Sequence, residues 1–135
     1  MVKKYLLALV AVTPVYVNAQ CWVVTNLNGY SAFEQSDYLY EKNGMAKSVF
    51  QININKDKAE LKMVNNELGG GGLEYMPIST SSMIGFYVNG DTSTIETWSI
   101  TDQNKVLYSK VVNNHKLVTG TTSLVGDVVG TCSSD

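Results

Sequence analysis

Residues 48–63 have the sequence SVFQININKDKAELKM, in which apolar and polar side chains alternate on both sides of a polar turn. Phe50, Ile52 and Ile54 fall on one face of an extended chain, because successive side chains of a strand point to opposite faces. The same alternation returns after the turn, from Ala59 to Met63. The pattern predicts a β-hairpin with one buried face and one solvated face.

Similar alternating segments, separated by turn residues such as Asn-Gly, continue along the rest of the chain. The other predicted strands are Cys21–Leu27, Tyr38–Glu41, Leu73–Ser79, Met83–Val88, Thr94–Thr101, Lys105–Val112, Leu117–Thr119 and Leu124–Thr131. Short strands with short connections predict an all-β domain, a small antiparallel meander that closes into an eight- or nine-stranded barrel or forms a small sandwich. An eight-stranded barrel has room for packed side chains or for one small ligand.

The first nineteen residues have the three-part pattern of a bacterial secretory signal peptide. Two lysines precede an apolar run over Tyr5–Val17, and Val17 and Ala19 suit the cleavage site. The run is shorter than the roughly 20 apolar residues that a membrane-spanning helix needs. We therefore predict a signal peptide at residues 1–19 and one periplasmic or secreted domain at 20–135, not membrane-spanning after cleavage.

The two cysteines lie at the two ends of that domain, at Cys21 and Cys132. In an oxidising compartment an even pair predicts a structural disulfide, whereas a redox pair usually has Cys-x-x-Cys spacing. An intermolecular bridge is the other alternative. An internal bridge would make the first and last segments neighbours, because the two Cα atoms must lie within about 7 Å. That proximity favours a closed barrel, which removes exposed strand edges.

The charged residues argue against several classes of function. Ten lysines, no arginine and twelve acidic residues give a formal net charge of −2 at pH 7, which is unlike a nucleic-acid-binding surface. One histidine and two cysteines cannot supply the usual ligands of a zinc or iron–sulfur site. We therefore predict no metal, no cofactor and no nucleic-acid partner.

Candidate catalytic residues lack a diagnostic context. His115 lies in a predicted turn and no Gly-x-Ser-x-Gly motif accompanies it, so we expect a surface histidine. Carboxylates close in sequence, each expected on a solvated face, are Glu34 with Asp37, Glu67 with Glu74 and Glu96 with Asp102. Gly69–Gly72 lacks the Lys-Ser/Thr of a phosphate-binding loop and is predicted to be a flexible connection. The sequence thus predicts no catalytic residue.

Aromatic residues form one candidate binding surface, in a polar stretch that we expect to be rich in loops. Its members are Tyr30, Phe33, Tyr38 and Tyr40. Exposed aromatic side chains among polar residues suit the binding of a sugar or a protein. The alternative is an ordinary edge of the hydrophobic core.

Three parts of the chain resemble small exported proteins of unknown function from enterobacteria and their prophages. They are Gln20–Val24 with Gly29–Ala32, Glu96–Ser99 with Lys105–Tyr108, and Val125–Cys132. The resemblance implies a secreted, disulfide-closed domain. It transfers no catalytic residue.

Together these features predict a non-enzymatic exported β-domain that binds a protein partner. An inhibitor of a cell-wall hydrolase or an immunity-type protein would fit, since an acidic surface suits a basic target. The alternative is a lipocalin-like carrier of a small apolar ligand. A cavity lined by Phe50, Met63 or Trp98 would favour the carrier, whereas a filled core with a conspicuous exposed loop would favour the protein binder.

Overall fold

The computed structural model describes residues 19–64 and 73–133. Residues 1–18 of the predicted signal peptide, and Gly69–Gly72, lie outside the described residues. The described residues form nine strands: β1 Gln20–Phe33, β2 Tyr40–Met45, β3 Phe50–Ile54, β4 Ala59–Met63, β5 Glu74–Pro77, β6 Ser82–Asn89, β7 Thr92–Ile100, β8 Lys105–Asn114 and β9 Val118–Thr131. One 3₁₀ turn, Glu34–Ser36, follows β1.

The strands form a single antiparallel sheet in the order β4-β3-β1-β9-β8-β7-β6-β5. The first half of β1 pairs with β3 and its second half pairs with β2, so β2 and β3 lie end to end along one edge of β1. Strand β4 approaches β5, and the sheet nearly closes into a barrel. The predicted all-β barrel is therefore confirmed.

The disulfide joins the first strand to the segment just after the last strand. Cys21 and Cys132 are bonded, with their Cα atoms 4.9 Å apart. The backbone N–H of Cys132 also donates a hydrogen bond to the carbonyl oxygen of Cys21, at 2.9 Å. Since β1 and β9 pair along most of their lengths, the covalent link strengthens an existing contact between the chain ends of the barrel.

Strand β1 is longer than the sequence predicted, because Asn28 and Gly29 do not end it. Gly29 pairs with Leu124 of β9, and a Cβ atom at Gly29 would clash with the backbone of β9. The register shifts between Thr25 and Asn28, where Asn26 has a φ of 59°. The turn-forming residues therefore mark a β-bulge and a close backbone approach inside a strand.

Two other boundaries differ for the same reason. Asn43 and Gly44, expected to end a strand, lie within β2. The two short strands predicted at 117–119 and 124–131 are one strand, β9, whose Gly120 packs against the backbone and ring of Phe33. Glycine at these positions permits close strand contact instead of a turn.

The hydrophobic core occupies the middle of the barrel and the end that carries the disulfide. Its largest fully buried side chains are Val24, Leu27, Ile52, Met83, Trp98 and Val106. The predicted hairpin is confirmed: β3 pairs with β4 and buries Phe50, Ile52 and Ile54. The ring of Trp98 packs between Phe50 and Tyr108, with ring centroids 5.1 Å and 4.5 Å away. The other end of the barrel, where β1, β4, β6 and β8 finish, is called here the open end.

Candidate functional site

The open end contains a cavity of about 590 Å³, called here the main cavity. Its lining is mostly apolar and aromatic, and consists of Met45, Phe50, Leu61, Met63, Leu73, Tyr75, Tyr87, Thr94, Glu96, Trp98, Tyr108 and Lys110. Its volume and composition are typical of sites that hold small organic molecules. The cavity is lined by Phe50, Met63 and Trp98. These are the three side chains whose presence in a cavity was expected to favour a carrier.

Strand periodicity places the polar side chains of the main cavity. Thr94, Glu96 and Trp98 alternate along β7 and therefore face the barrel interior. On the neighbouring strand β8, Tyr108 pairs with Trp98 and Lys110 pairs with Glu96. One carboxylate, one ammonium group and several aromatic rings are thereby brought to one wall.

Glu96 lies at the centre of this wall and is only 5% exposed. Its Oε1 accepts hydrogen bonds from the Tyr75 hydroxyl and the Trp98 indole Nε1, both at 2.6 Å. Its Oε2 accepts one from the Tyr108 hydroxyl at 3.1 Å. The expectation that Glu96 lies on a solvated face is wrong. Burial of the carboxylate is tolerated because three neutral donors replace water around it.

The two tyrosines remain protonated over the ordinary pH range. Burial raises the pKa of Tyr75 and of Tyr108 well above its usual value, and the negative charge of Glu96 and the hydrogen bonds to it raise each pKa further. Both hydroxyl groups therefore act as hydrogen-bond donors to the carboxylate. The wall is a fixed polar cluster within an otherwise apolar cavity.

Lys110 is the cationic group of this wall. Its Nζ lies 3.8 Å from Oε2 of Glu96, which is an ion pair beyond ordinary hydrogen-bond distance. Its side chain is 37% exposed, whereas that of Glu96 is buried. Lys110 also lines a second cavity of about 290 Å³, which shares Met45 and Tyr108 with the main cavity. The ammonium group therefore lies where the two cavities adjoin.

The predicted aromatic surface is divided by the structure. Tyr30 and Tyr40 are exposed and lie on the outer face as diagonal neighbours on β1 and β2, and Tyr38 is exposed in the connection between the strands. Phe33 is instead half-buried and lines the second cavity. Leu39, which no sequence pattern singled out, is 67% exposed beside Tyr40.

The stretch is also less loop-rich than expected. Tyr30 and Phe33 belong to β1, and Tyr40 begins β2. Only Tyr38 of the four lies in a connection, where it adopts a φ of 57°. The strand pairing, which the local sequence does not reveal, therefore fixes which of these rings face outward.

The other candidate residues lie apart from the cavity. His115 is exposed in the turn between β8 and β9, as predicted. Glu34, Asp37, Glu74 and Asp102 are exposed, and Glu67 lies outside the described residues. Within residues 19–64 and 73–133, no three or more histidine, cysteine, aspartate or glutamate side chains are placed to hold a metal ion. In the same described ranges, no helix has the length and apolar content needed to cross a membrane.

A comparison of the chain with protein-family models, curated proteins and solved structures found no significant match.

Proposed function

We propose that this protein is a non-enzymatic carrier that holds a small, largely apolar ligand in the main cavity. The observation that supports the proposal is the cavity itself, about 590 Å³ in volume and lined by Phe50, Met63 and Trp98 among other apolar side chains. Apolar walls bind an apolar ligand by removing its surface from water. Of the two functions predicted from the sequence, the carrier is the one that this cavity supports best.

The polar wall supports binding more than catalysis. Glu96 accepts three hydrogen bonds, and both of its tyrosine donors are held in the protonated form. A tyrosine with a raised pKa is a weak acid, which makes both hydroxyl groups poor proton donors for catalysis. The cluster instead gives the cavity a rigid polar boundary that can orient a ligand.

Ligand binding can be measured on the purified protein through the fluorescence of Trp98, which lines the main cavity. The variant Trp22→Phe leaves Trp98 as the reporting tryptophan. We expect saturable changes in its emission on titration with the apolar dye 8-anilinonaphthalene-1-sulfonate and with an alkane alcohol. A protein that binds neither the dye nor the alcohol would contradict the carrier proposal.

A cavity-filling variant and a matched control locate the binding. Thr94→Trp places a large ring in the main cavity, whereas Ile95→Trp places the same ring on the exposed outer face of the same strand. We expect Thr94→Trp to lose binding and Ile95→Trp to retain it, with circular dichroism showing that both variants keep their strands. Equal binding by the two variants would show that the ligand binds elsewhere.

A second candidate function is the binding of a protein partner at the outer aromatic surface. Tyr30, Tyr38, Leu39 and Tyr40 are each at least half exposed, and Tyr40 is 71% exposed. Exposed acidic residues lie nearby in the chain at Glu34 and Asp37, and the exposed Lys42 pairs with Tyr30 on the same face. Exposed aromatic side chains suit a protein partner, and the net negative charge of the chain suits a basic one, such as a cell-wall hydrolase or a toxin.

The protein-binding proposal is tested by capture of a basic protein with wild-type protein and with the double variant Leu39→Ser/Tyr40→Ser. We expect a stoichiometric basic partner that is lost from the variant and released by salt, because the attraction is partly electrostatic. The cavity variant Thr94→Trp is the control and retains the partner. A partner retained equally by the double variant would contradict this site.

We also propose that the protein is exported to the periplasm or the medium. The leader-like pattern of residues 1–19 and the disulfide support export, because disulfides persist in oxidising compartments.

A further inference from the structure

We propose that the ligand of the main cavity is an amphiphile with an anionic group, of the carboxylate type, which binds the ammonium group of Lys110 while its apolar part fills the cavity. This inference rests on the carrier function proposed above and names the class of ligand. The observation behind it is a single cation on the cavity wall that lies beyond hydrogen-bond distance of the carboxylate beside it.

Lys110 has hydrogen-bonding capacity that the described residues do not use. A lysine ammonium group can donate three hydrogen bonds. Within the described parts of the chain, its contact is the ion pair to Oε2 of Glu96 at 3.8 Å, too long for a hydrogen bond. Among the described residues that line the main and second cavities, Lys110 is the only one with a positively charged side chain. An anionic oxygen at this position would form a charge-assisted hydrogen bond with it.

Glu96 does not form the hydrogen bond with Lys110 that an anionic ligand could form. Its oxygens already accept hydrogen bonds from Tyr75, Trp98 and Tyr108, all of which are neutral donors. Hydrogen bonds to the carboxylate therefore come from these three groups, whereas Lys110 contributes an ion pair at 3.8 Å and no hydrogen bond. A cationic ligand would meet the like charge of Lys110, whose Nζ already lies 3.8 Å from Oε2 of Glu96. The arrangement therefore favours an anion over an amine.

The apolar part of the ligand has a defined place. Phe50, Leu61 and Met63 line the main cavity from β3 and β4, which are not neighbours of β8 in the sheet, and Met45 of β2 lies between them and Lys110. A chain that starts at Lys110 can lie along these side chains, and methionine adapts to irregular ligand shapes. The ligand's charged end would remain near the partly exposed ammonium group, where its loss of hydration is least.

Three ligands with the same alkyl chain test the charge preference: decanoate, decanol and decyltrimethylammonium. Calorimetric titration of the exported wild-type protein below the micelle-forming concentrations is expected to show decanoate binding roughly tenfold more tightly than decanol. Decyltrimethylammonium is expected to bind more weakly than decanol. Equal affinities for decanoate and decanol, or tighter binding of the cation, would overturn the anion proposal.

Substitutions at Lys110 assign the preference to one side chain. Lys110→Gln is expected to lower the affinity for decanoate to that for decanol and to leave the affinity for decanol unchanged. Lys110→Arg retains the positive charge and is expected to restore the preference for decanoate. Lys116→Gln is the matched control, because it removes the same charge from an exposed turn residue outside the cavities and should change neither affinity.

The outcomes separate this inference from the carrier proposal. If decanol binds and is excluded by Thr94→Trp, but Lys110→Gln leaves decanoate binding unchanged, the carrier proposal stands and the anion site is refuted. If none of the three ligands binds the wild-type protein, the carrier proposal fails and the anion site fails with it. If circular dichroism shows that Lys110→Gln is unfolded, Lys110→Met replaces it as the test variant. Loss of the decanoate preference in folded Lys110→Met would support the anion site, and retention of the preference would refute it.

Discussion

Removing the hydroxyl group of Tyr108 is expected to destabilise the protein more than removing that of Tyr75, although Tyr75 makes the shorter hydrogen bond. Tyr75 donates to Oε1 of Glu96 at 2.6 Å, and Tyr108 donates to Oε2 at 3.1 Å. The difference in stability depends on the hydrogen bonds that each Glu96 oxygen keeps after the substitution. Oε1 keeps the hydrogen bond from Trp98, whereas Oε2 keeps only the distant Lys110.

The expected magnitudes follow from the burial of the two sites. Tyr108 is buried, so Tyr108→Phe leaves one oxygen of a buried carboxylate without a hydrogen bond, at a cost of about 2–3 kcal/mol. Tyr75 is only half-buried, and Oε1 keeps the hydrogen bond from Trp98 after the Tyr75 hydroxyl group is removed. We therefore expect Tyr75→Phe to cost about 1 kcal/mol.

Urea denaturation of the two variants and the wild type measures both free energies of unfolding, and an unchanged denaturant slope confirms that the fold is retained. In a Glu96→Gln background, Tyr108→Phe is expected to cost only about 1 kcal/mol, because the hydrogen bond then joins neutral groups. Equal costs for the two tyrosine variants, or an unchanged cost of Tyr108→Phe in that background, would show that the hydrogen bond to Oε2 does not account for the difference.

Three further predictions concern the covalent link, the tyrosines and export. Reduction of the disulfide, or its removal by Cys21→Ser/Cys132→Ser, is expected to lower the free energy of unfolding by up to about 4.7 kcal/mol, and reductant should not further destabilise the double variant in urea denaturation. Because the pKa of Tyr75 and of Tyr108 is raised in the folded protein, their hydroxyl groups ionise just above about pH 10 only in the unfolded state. The free energy of unfolding should therefore be unaffected by these groups below that pH and should fall as the pH rises above it. The fall should be smaller in the phenylalanine variants, and absorbance should show the two hydroxyls ionising only on unfolding. Mass spectrometry of protein from an exporting bacterial host should find Gln20 as the first residue, and an intact leader on exported protein would contradict the predicted cleavage.

Part of the candidate site could be inferred from the sequence. Phe50, Met63 and Trp98 occupy apolar positions of alternating strands, so the sequence identified them as side chains that would line a cavity if one existed. The sequence did not show that Glu96 joins them, because a single acidic residue in an alternating strand is usually solvated. The inward-facing tyrosines that hydrogen-bond it come from β5 and β8, which are separate in sequence.

The alternation of apolar and polar side chains in the sequence predicts extended strands and therefore an all-β fold. The two cysteines indicate that the first and last strands lie side by side. Three features are visible in the tertiary structure alone. Strand β1 continues through Asn28 and Gly29, some of the predicted aromatic side chains face outward and others do not, and Glu96 is buried beside Lys110. These features depend on the register and closeness of strands that are far apart along the chain. Neighbouring residues cannot encode that register by themselves, since the same alternating segment can pair with several partners.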